Sequence, residues 1–268
     1  MAALHPAAIW GLVKEARTVL EDTRPLLVTG ALADVLEQGL ARGGSPGAVS
    51  SRGSVEHAAA LVRVLAGEPT EDDRQALRAA NRARIPVVAV QTGTGWFDVP
   101  YVLATDVVVC PPGAGFPVEE IARVLAARLG ESATPLASRL PVLRDPVCDE
   151  LIESFSRKNG VLGAAIFIPG ADFPVLTLNQ VRLVLRLASA HGIQIDQQRL
   201  PELLGTVAAG FGLRVVARQL LGAVPIAGWA LKGGIAYAGT RALGETAQRY
   251  FAQVARSAEA DPATREDP

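Results

Sequence analysis

The chain has 268 residues, of which 49% are hydrophobic and 20% are charged, a balance typical of globular domains rather than of disordered chains. A formal net charge of -1 excludes an overall electrostatic attraction for nucleic acid, so the composition predicts no nucleic-acid partner. The two cysteines lie far apart and the N-terminus lacks the features of a signal peptide, which together indicate a reducing, cytoplasmic compartment.

The first segment, residues 1–24, predicts an amphipathic helix. Its apolar residues recur at helical spacing: Ile9, Leu12, Val13, Ala16, Val19 and Leu20. Such a helix has a single apolar face and needs a surface that covers it, most often the protein's own domain.

Residues 25–131 alternate apolar runs with helical patterns, which predicts an α/β domain, a three-layer parallel sheet with helices on its faces. The strands are expected at 25–30, 59–67, 85–91 and 106–113, and the helices at 31–42, 70–82 and 118–130. Thr70 followed by Asp73 predicts a capping box at the start of the second of these helices.

The composition changes after this domain. Residues 132–146 are rich in Pro, Ser and Ala and predict a linker, and residues 257–268 predict a disordered tail. Between them, residues 147–256 predict a helical domain, with helices at 147–158, 159–168, 175–191, 197–209, 210–222 and 226–254. The predicted fold class is therefore an α/β domain followed by an all-α domain.

The turn after the first strand is where a phosphate-binding loop would lie, but its residues do not fit one. Counted from Gly30, the pattern G-x-x-x-x-G-K-[ST] requires Gly, Lys and Ser or Thr where the chain has Val35, Leu36 and Glu37. Val35 obstructs a close backbone approach, Leu36 carries no charge, and Glu37 repels phosphate. The sequence therefore predicts a loop without phosphate chemistry.

The other nucleotide-binding positions are equally unsuited. A guanine-reading N-K-x-D after the third strand falls on residues 91–94, which are QTGT. Gly113 and Gly115 after the last strand fit a turn, but the residues before them do not fit the usual contacts. We predict no catalytic residue and no cofactor. Gly30, Gly113 and Gly115 are the candidates if a nucleotide binds through backbone amides alone.

The strand IPVVAVQT, the ending GAGFPVEEIARVLAARL and the order of the strands support a family resemblance. In these features residues 20–130 resemble an Era-like small GTPase domain that has lost its nucleotide chemistry. The resemblance implies a degenerate P-loop fold without GTPase activity. The alternative is an unrelated small α/β domain.

Residues 205–244 contain nine glycines and four charges, and all four charges are positive. On a helix, Ala230, Gly234, Ala238 and Ala242 form one smooth face, suited to packing against another helix. The longest uncharged run, 219–231, is shorter than the roughly 18–20 residues of a membrane span. Contacts with a membrane or a partner are expected from Arg214, Arg218, Trp229, Lys232 and Tyr237.

About 80 residues of the C-terminal half resemble the bacterial domain-of-unknown-function family 697, the helical C-terminal domain of YcjF-like inner-membrane proteins. The matching residues are Pro169, Asp172, Leu176, Gln180, Gly192, Gly210, Gly212, Pro225, Thr240, Gly244, Tyr250 and Phe251. The resemblance implies a helical, membrane-associated module without assigned chemistry.

The sequence contains no recognisable metal-binding or nucleophile motif. The histidines lack cysteine or carboxylate neighbours at ligand spacing, so no metal site is predicted, and no G-x-S-x-G elbow occurs. The leading hypothesis is a non-catalytic scaffold or interaction protein at the cytoplasmic face of the inner membrane, bound to a protein partner or to its own copy. One alternative is a nucleotide sensor or GTPase-related enzyme with a non-standard site. Another is a soluble structural protein of the cytoplasm.

Overall fold

A computed structural model of the chain describes residues 6–165, 173–193 and 229–260. The chain divides into two units, which are described separately. The α/β unit consists of Asp22–Val147, and the helical unit consists of Met1–Glu21 together with Cys148–Pro268.

Five parallel strands form the sheet of the α/β unit. They are β1 (Leu26–Gly30), β2 (Val49–Ser50), β3 (Ala60–Leu65), β4 (Val87–Gln91) and β5 (Val107–Val109), in the order β2-β1-β3-β4-β5. Every residue of β4 is buried, as expected of a strand that is covered on both faces. The predicted parallel sheet is confirmed, with β2 as a short additional edge strand.

The helices of the described residues surround this sheet or form the helical unit. They are α1 (Pro6–Leu20), α2 (Ala33–Leu40), α3 (Glu71–Ala83), α4 (Val118–Leu129), α5 (Thr134–Arg139), α6 (Pro141–Ala165), α7 (Phe173–Ala190) and α8 (Trp229–Ala260). The predicted capping box starts α3, because Thr70 and Asp73 each accept a hydrogen bond from the other's backbone N–H. Leu77 of α3 packs into a core with Leu61 and Leu65 of β3.

Residues 132–146, predicted as a linker, are instead helical for most of their length. They contain α5 and the first turns of α6, and Leu136, Leu140 and Leu143 are fully buried. Their prolines lie near helix starts, where the missing N–H costs nothing, or inside α6 at Pro146. The composition indicated a linker because prolines in a first helical turn resemble those of a linker.

The helical unit combines the N-terminal helix with the C-terminal part of the chain. Leu12, Val13 and Ala16 of α1 are buried, and Glu15 bonds Arg182 and Arg186 of α7. The amphipathic helix therefore covers its apolar face within the chain.

Helices α6 and α8 of this unit run in opposite directions at very close range. A Cβ at Gly233 would lie 2.8 Å from the Gly160 carbonyl oxygen, and one at Gly244 would lie 2.7 Å from Cγ1 of Ile152. Glycine at these places lets the two helix backbones approach. No helix within the described ranges is both long and apolar enough to cross a bilayer.

Candidate functional site

An open cleft of about 570 Å³ lies at the carboxyl end of β1, where a phosphate-binding loop was sought. It is lined by Thr29, Gly30 and residues 32–35, and by Ser51 and Arg52 of the loop after β2. Ligands of open α/β sheets bind outside the carboxyl ends of the strands, which makes this cleft the first candidate.

The turn that forms the cleft has unusual backbone geometry. Gly30 has a φ of +100°, and a Cβ there would overlap the carbonyl oxygen of Val64 on β3. Leu32 also lies in the left-handed region, with a φ of +55°, although it is not glycine. Leu32 caps α2 without a side-chain hydrogen bond, so the backbone alone starts this helix.

The side chains of the cleft are unsuited to phosphate. Leu32 is 62% exposed and Val35 is 56% exposed, so two apolar groups lie where a phosphate would need donors. Arg52 is the one cation among the lining residues, and Asp34 in the first turn of α2 opposes an anion.

Glu37 occupies the position that would hold Mg²⁺ in a Walker-type loop. Its Oε2 accepts a hydrogen bond of 3.0 Å from the N–H of Ser51. The carboxylate therefore ties the loop after β2 to α2, which is a structural task.

Gly113 and Gly115 do not join Gly30 in one site. They follow β5, which is three strand positions from β1, or about 14 Å at the usual spacing. Near them, the Cys110 thiol lies 3.5 Å from the Gly115 carbonyl oxygen and 3.7 Å from that of Ala114. Carbonyl oxygens of this loop thus gather around a thiol.

Gln91 stands at the first position of the guanine-reading pattern and serves the fold instead. It is fully buried, and its Nε2 donates a hydrogen bond of 2.7 Å to the Phe97 carbonyl oxygen. Thr92 similarly donates to the Leu65 carbonyl oxygen at 3.2 Å. Both side chains fix the loop after β4.

The predicted small-residue face of α8 is not the face that packs within the unit. Gly234 and Ala238 are exposed, Ala242 is half-buried, and the Ala230 side chain lies outside the described residues. A Cβ at Gly234 would meet nothing within 4 Å. Packing uses the neighbouring face of α8, which consists of Gly233, Ala236, Thr240, Gly244, Ala247 and Phe251. The spacing identifies a stripe of small residues, but it does not determine whether that stripe faces the other helices of the unit.

The predicted contact residues have different positions. Lys232 is exposed, whereas the Tyr237 hydroxyl donates a hydrogen bond of 2.9 Å to Glu153, which lowers the pKa of that carboxyl. Arg214, Arg218 and the Trp229 side chain lie outside the described residues. Tyr237 therefore links α8 to α6 within the unit.

A buried polar cluster in the helical unit was missed. Thr240 of α8 accepts hydrogen bonds from Asn159 of α6 at 2.8 Å and from Gln180 of α7 at 3.3 Å. Asn179 donates to Asn159 at 3.0 Å. Polar residues inside otherwise apolar helical patterns were the available signal.

A buried thiol–imidazole pair was also missed. Cys148 Sγ lies 3.7 Å from His191 Nε2, and both side chains are buried. Across the part of the chain that the structure describes, no three His, Cys, Asp or Glu side chains cluster as metal ligands would.

Comparison with known proteins gives no match. No family model matches the chain, and no curated protein and no solved structure is significantly similar to it.

Proposed function

We propose that the chain is a non-catalytic interaction protein, in which a GTPase-like α/β unit without nucleotide chemistry is joined to a helical unit. The observation that carries the proposal is the cleft after β1. It is lined by exposed Leu32 and Val35 and by the carboxylate of Asp34, and the positions of the phosphate-binding lysine and the magnesium-binding hydroxyl hold Leu36 and Glu37.

The GTPase-like origin rests on layout and on the resemblance. A parallel sheet whose first strand ends in a glycine turn and a helix is the context of a phosphate loop. An α/β unit that keeps this layout without the reactive residues is suited to binding other molecules through its surface.

The helical unit would contact the cytoplasmic face of the inner membrane or a second copy of the chain. Gly234 and Ala238 leave one stripe of α8 uncovered among the described residues, beside exposed Lys232 and Ile235. A cation beside a smooth apolar stripe is compatible with anionic lipid or with a close helix contact. Carbonate and high-salt washes of a cell membrane fraction test this assignment, since full recovery in the soluble fraction would leave the soluble structural protein.

Equilibrium binding of labelled GTP, ATP and dinucleotides, with Mg²⁺, tests the non-catalytic assignment. We expect no saturable binding at micromolar concentrations. Micromolar binding would favour the nucleotide sensor that uses backbone amides, either that of Gly30 or those of Gly113 and Gly115. Gly115→Ala keeps the fold, because a Cβ there meets nothing within 4 Å, and it should weaken binding only if the nucleotide lies at the glycines after β5.

A further inference from the structure

Strand β1 is paired along its whole length on one side and along less than half of it on the other. Its residues Leu26 through Gly30 all pair with β3, whereas only Leu26 and Leu27 pair with β2. The sheet edge is therefore open beside the carboxyl half of β1, and this opening coincides with the cleft.

The open edge presents backbone hydrogen-bonding groups. The N–H of Leu26 donates toward the β2 side, to Ala48, and the N–H of Ala31 donates toward the β3 side, to Val64. Successive residues of a strand alternate sides, so the C=O of Val28 and the N–H of Gly30 face the open edge. No backbone group of the described residues bonds to either of them there.

The chain after β2 is held away from this edge. Ser51 donates its N–H to Glu37, and Arg52 donates its N–H to the Ser50 hydroxyl at 3.1 Å. Ala48 bonds β1, so by alternation Arg52 carries the next N–H and C=O that would continue the ladder. Both of these groups bond the Ser50 hydroxyl instead, the C=O at 2.6 Å. In addition, Thr29 Oγ1 is buried in the cleft wall without a hydrogen-bond partner.

We propose that this cleft binds an extended peptide segment of a partner protein, which pairs with the carboxyl half of β1 and completes the sheet. The proposal rests on the proposed function as an interaction protein and names the partner's chemistry. A peptide backbone offers the donor and acceptor that Val28 and Gly30 require. Leu32 and Val35 give an apolar contact for one of its side chains, and Arg52 pairs an acidic one.

Phosphate is a poorer occupant than a peptide. Asp34 repels a doubly charged group, whereas a polypeptide carries no net charge on its backbone. Two exposed apolar side chains also add affinity for a peptide side chain and none for phosphate.

The test begins with a library of random linear peptides panned against the full-length chain. We expect the recovered peptides to bind a Leu32→Asp, Val35→Asp double variant about tenfold more weakly or worse, because two apolar contacts are lost. Aspartate is tolerated at a left-handed cap, so the variant keeps the fold. Leu103→Asp is the matched control, since Leu103 is equally exposed at 62% and lies outside the cleft.

Methylation of the peptide's backbone nitrogens then separates strand addition from side-chain docking. Methyl groups on alternate residues should abolish binding, and those on the intervening residues should leave it unchanged, because only every second N–H faces β1. The amide of Gly30 should become protected from hydrogen exchange.

The proposal is overturned if no recovered peptide is weakened by the Leu32→Asp, Val35→Asp double variant. It is also overturned if methylation has the same effect on binding at every peptide position. That result without nucleotide binding would leave the non-catalytic assignment intact. Nucleotide binding that protects the Gly30 amide would instead contradict both.

Discussion

The carboxylate of Asp73 bonds three groups of the α/β unit. One oxygen accepts from the Arg63 Nε at 2.7 Å, and the other accepts from the Thr70 N–H at 2.8 Å and its hydroxyl at 2.6 Å. Burial raises the pKa of Asp73, but the bonds from Thr70 and Arg63 outweigh it, so this pKa lies below its usual value. The charged form therefore stabilises the fold.

Replacing Asp73 by Asn should lower the free energy of unfolding by about 1–3 kcal/mol at neutral pH. A lowered folded pKa means that the contribution is present above the unfolded pKa of about 4 and lost as pH falls through the folded value. The difference between wild type and variant should accordingly shrink below about pH 4, as urea unfolding at a series of pH values would measure.

Asp72→Asn is the control, because Asp72 is exposed in the same helical turn. It should change stability by about 0.5 kcal/mol or less. A constant difference between wild type and Asp73→Asn across the pH series would contradict the assignment.

Thr240 is the shared acceptor of the buried cluster in the helical unit. Thr240→Val keeps the shape but leaves the amides of Asn159 and Gln180 without this acceptor, and we expect a loss of about 1–3 kcal/mol. Thr246→Val is the comparison, because the Thr246 hydroxyl donates only to the Ala242 carbonyl of its own helix. Its loss should change the free energy of unfolding by no more than about 0.5 kcal/mol. Thermal unfolding followed by circular dichroism compares the two, and equal effects would argue against a special role for the cluster.

At the scale of elements, two adjacent glycines of α8 have opposite environments. Gly233→Ala forces a methyl group against the Gly160 carbonyl, and we expect a loss of about 1–3 kcal/mol. Gly234→Ala meets no neighbour within 4 Å and should gain up to about 1 kcal/mol from helix propensity. Chemical denaturation measures both.

The same pair tests the uncovered stripe of α8. If Gly234 packs against a second copy of the chain, Gly234→Ala should weaken self-association in sedimentation experiments while it raises the stability of the unit. Unchanged association would remove this stripe from an interface between copies.

Periodicity and strand character predicted most elements of the α/β unit. Continuous β-branched runs such as Val87–Gln91 allow few alternatives to a buried strand, and Thr70 with Asp73 marks a helix start locally. Strand β2 escaped prediction because two residues in a Gly/Ser-rich segment carry no pattern, and only pairing with β1 defines them. The helical character of 132–146 depends on buried leucines whose partners are distant in sequence.

The sequence predicted where the candidate site lies, after β1, but not the open sheet edge that forms it. The motif count showed that Val35, Leu36 and Glu37 cannot serve phosphate. The open edge of β1 depends on where β2 stops and on the bond between Glu37 and Ser51, which are tertiary facts. For the same reason, the face through which α8 packs could not be chosen among several small-residue stripes.

At the scale of the whole molecule, α1 belongs to the helical unit, although the entire α/β unit lies between α1 and the other helices of that unit in the sequence. Glu15 holds Arg182 at 3.0 Å and Arg186 at 2.9 Å, and the Arg186 side chain is only 10% exposed. Glu15→Gln should destabilise the helical unit by about 1–3 kcal/mol, because a largely buried guanidinium loses its carboxylate. Hydrogen exchange by mass spectrometry should show lost protection in α7 and none in β3 or β4.

Trp10→Ala serves as the comparison, since Trp10 lies on the same helix and is 51% exposed. It should leave exchange in α7 unchanged. Equal loss of protection in β3 would mean that the two units do not unfold separately.

The discontinuous helical unit has a consequence for synthesis on the ribosome. Glu15 and Arg182 are 167 residues apart, so at about 5–20 residues per second α1 waits about 8–30 s for the helix that covers it. During that time Leu12, Val13 and Ala16 lack their final partner, while the α/β unit emerges complete. The nascent chain thus carries an uncovered amphipathic helix, which chaperones or a membrane surface could meet before α7 does.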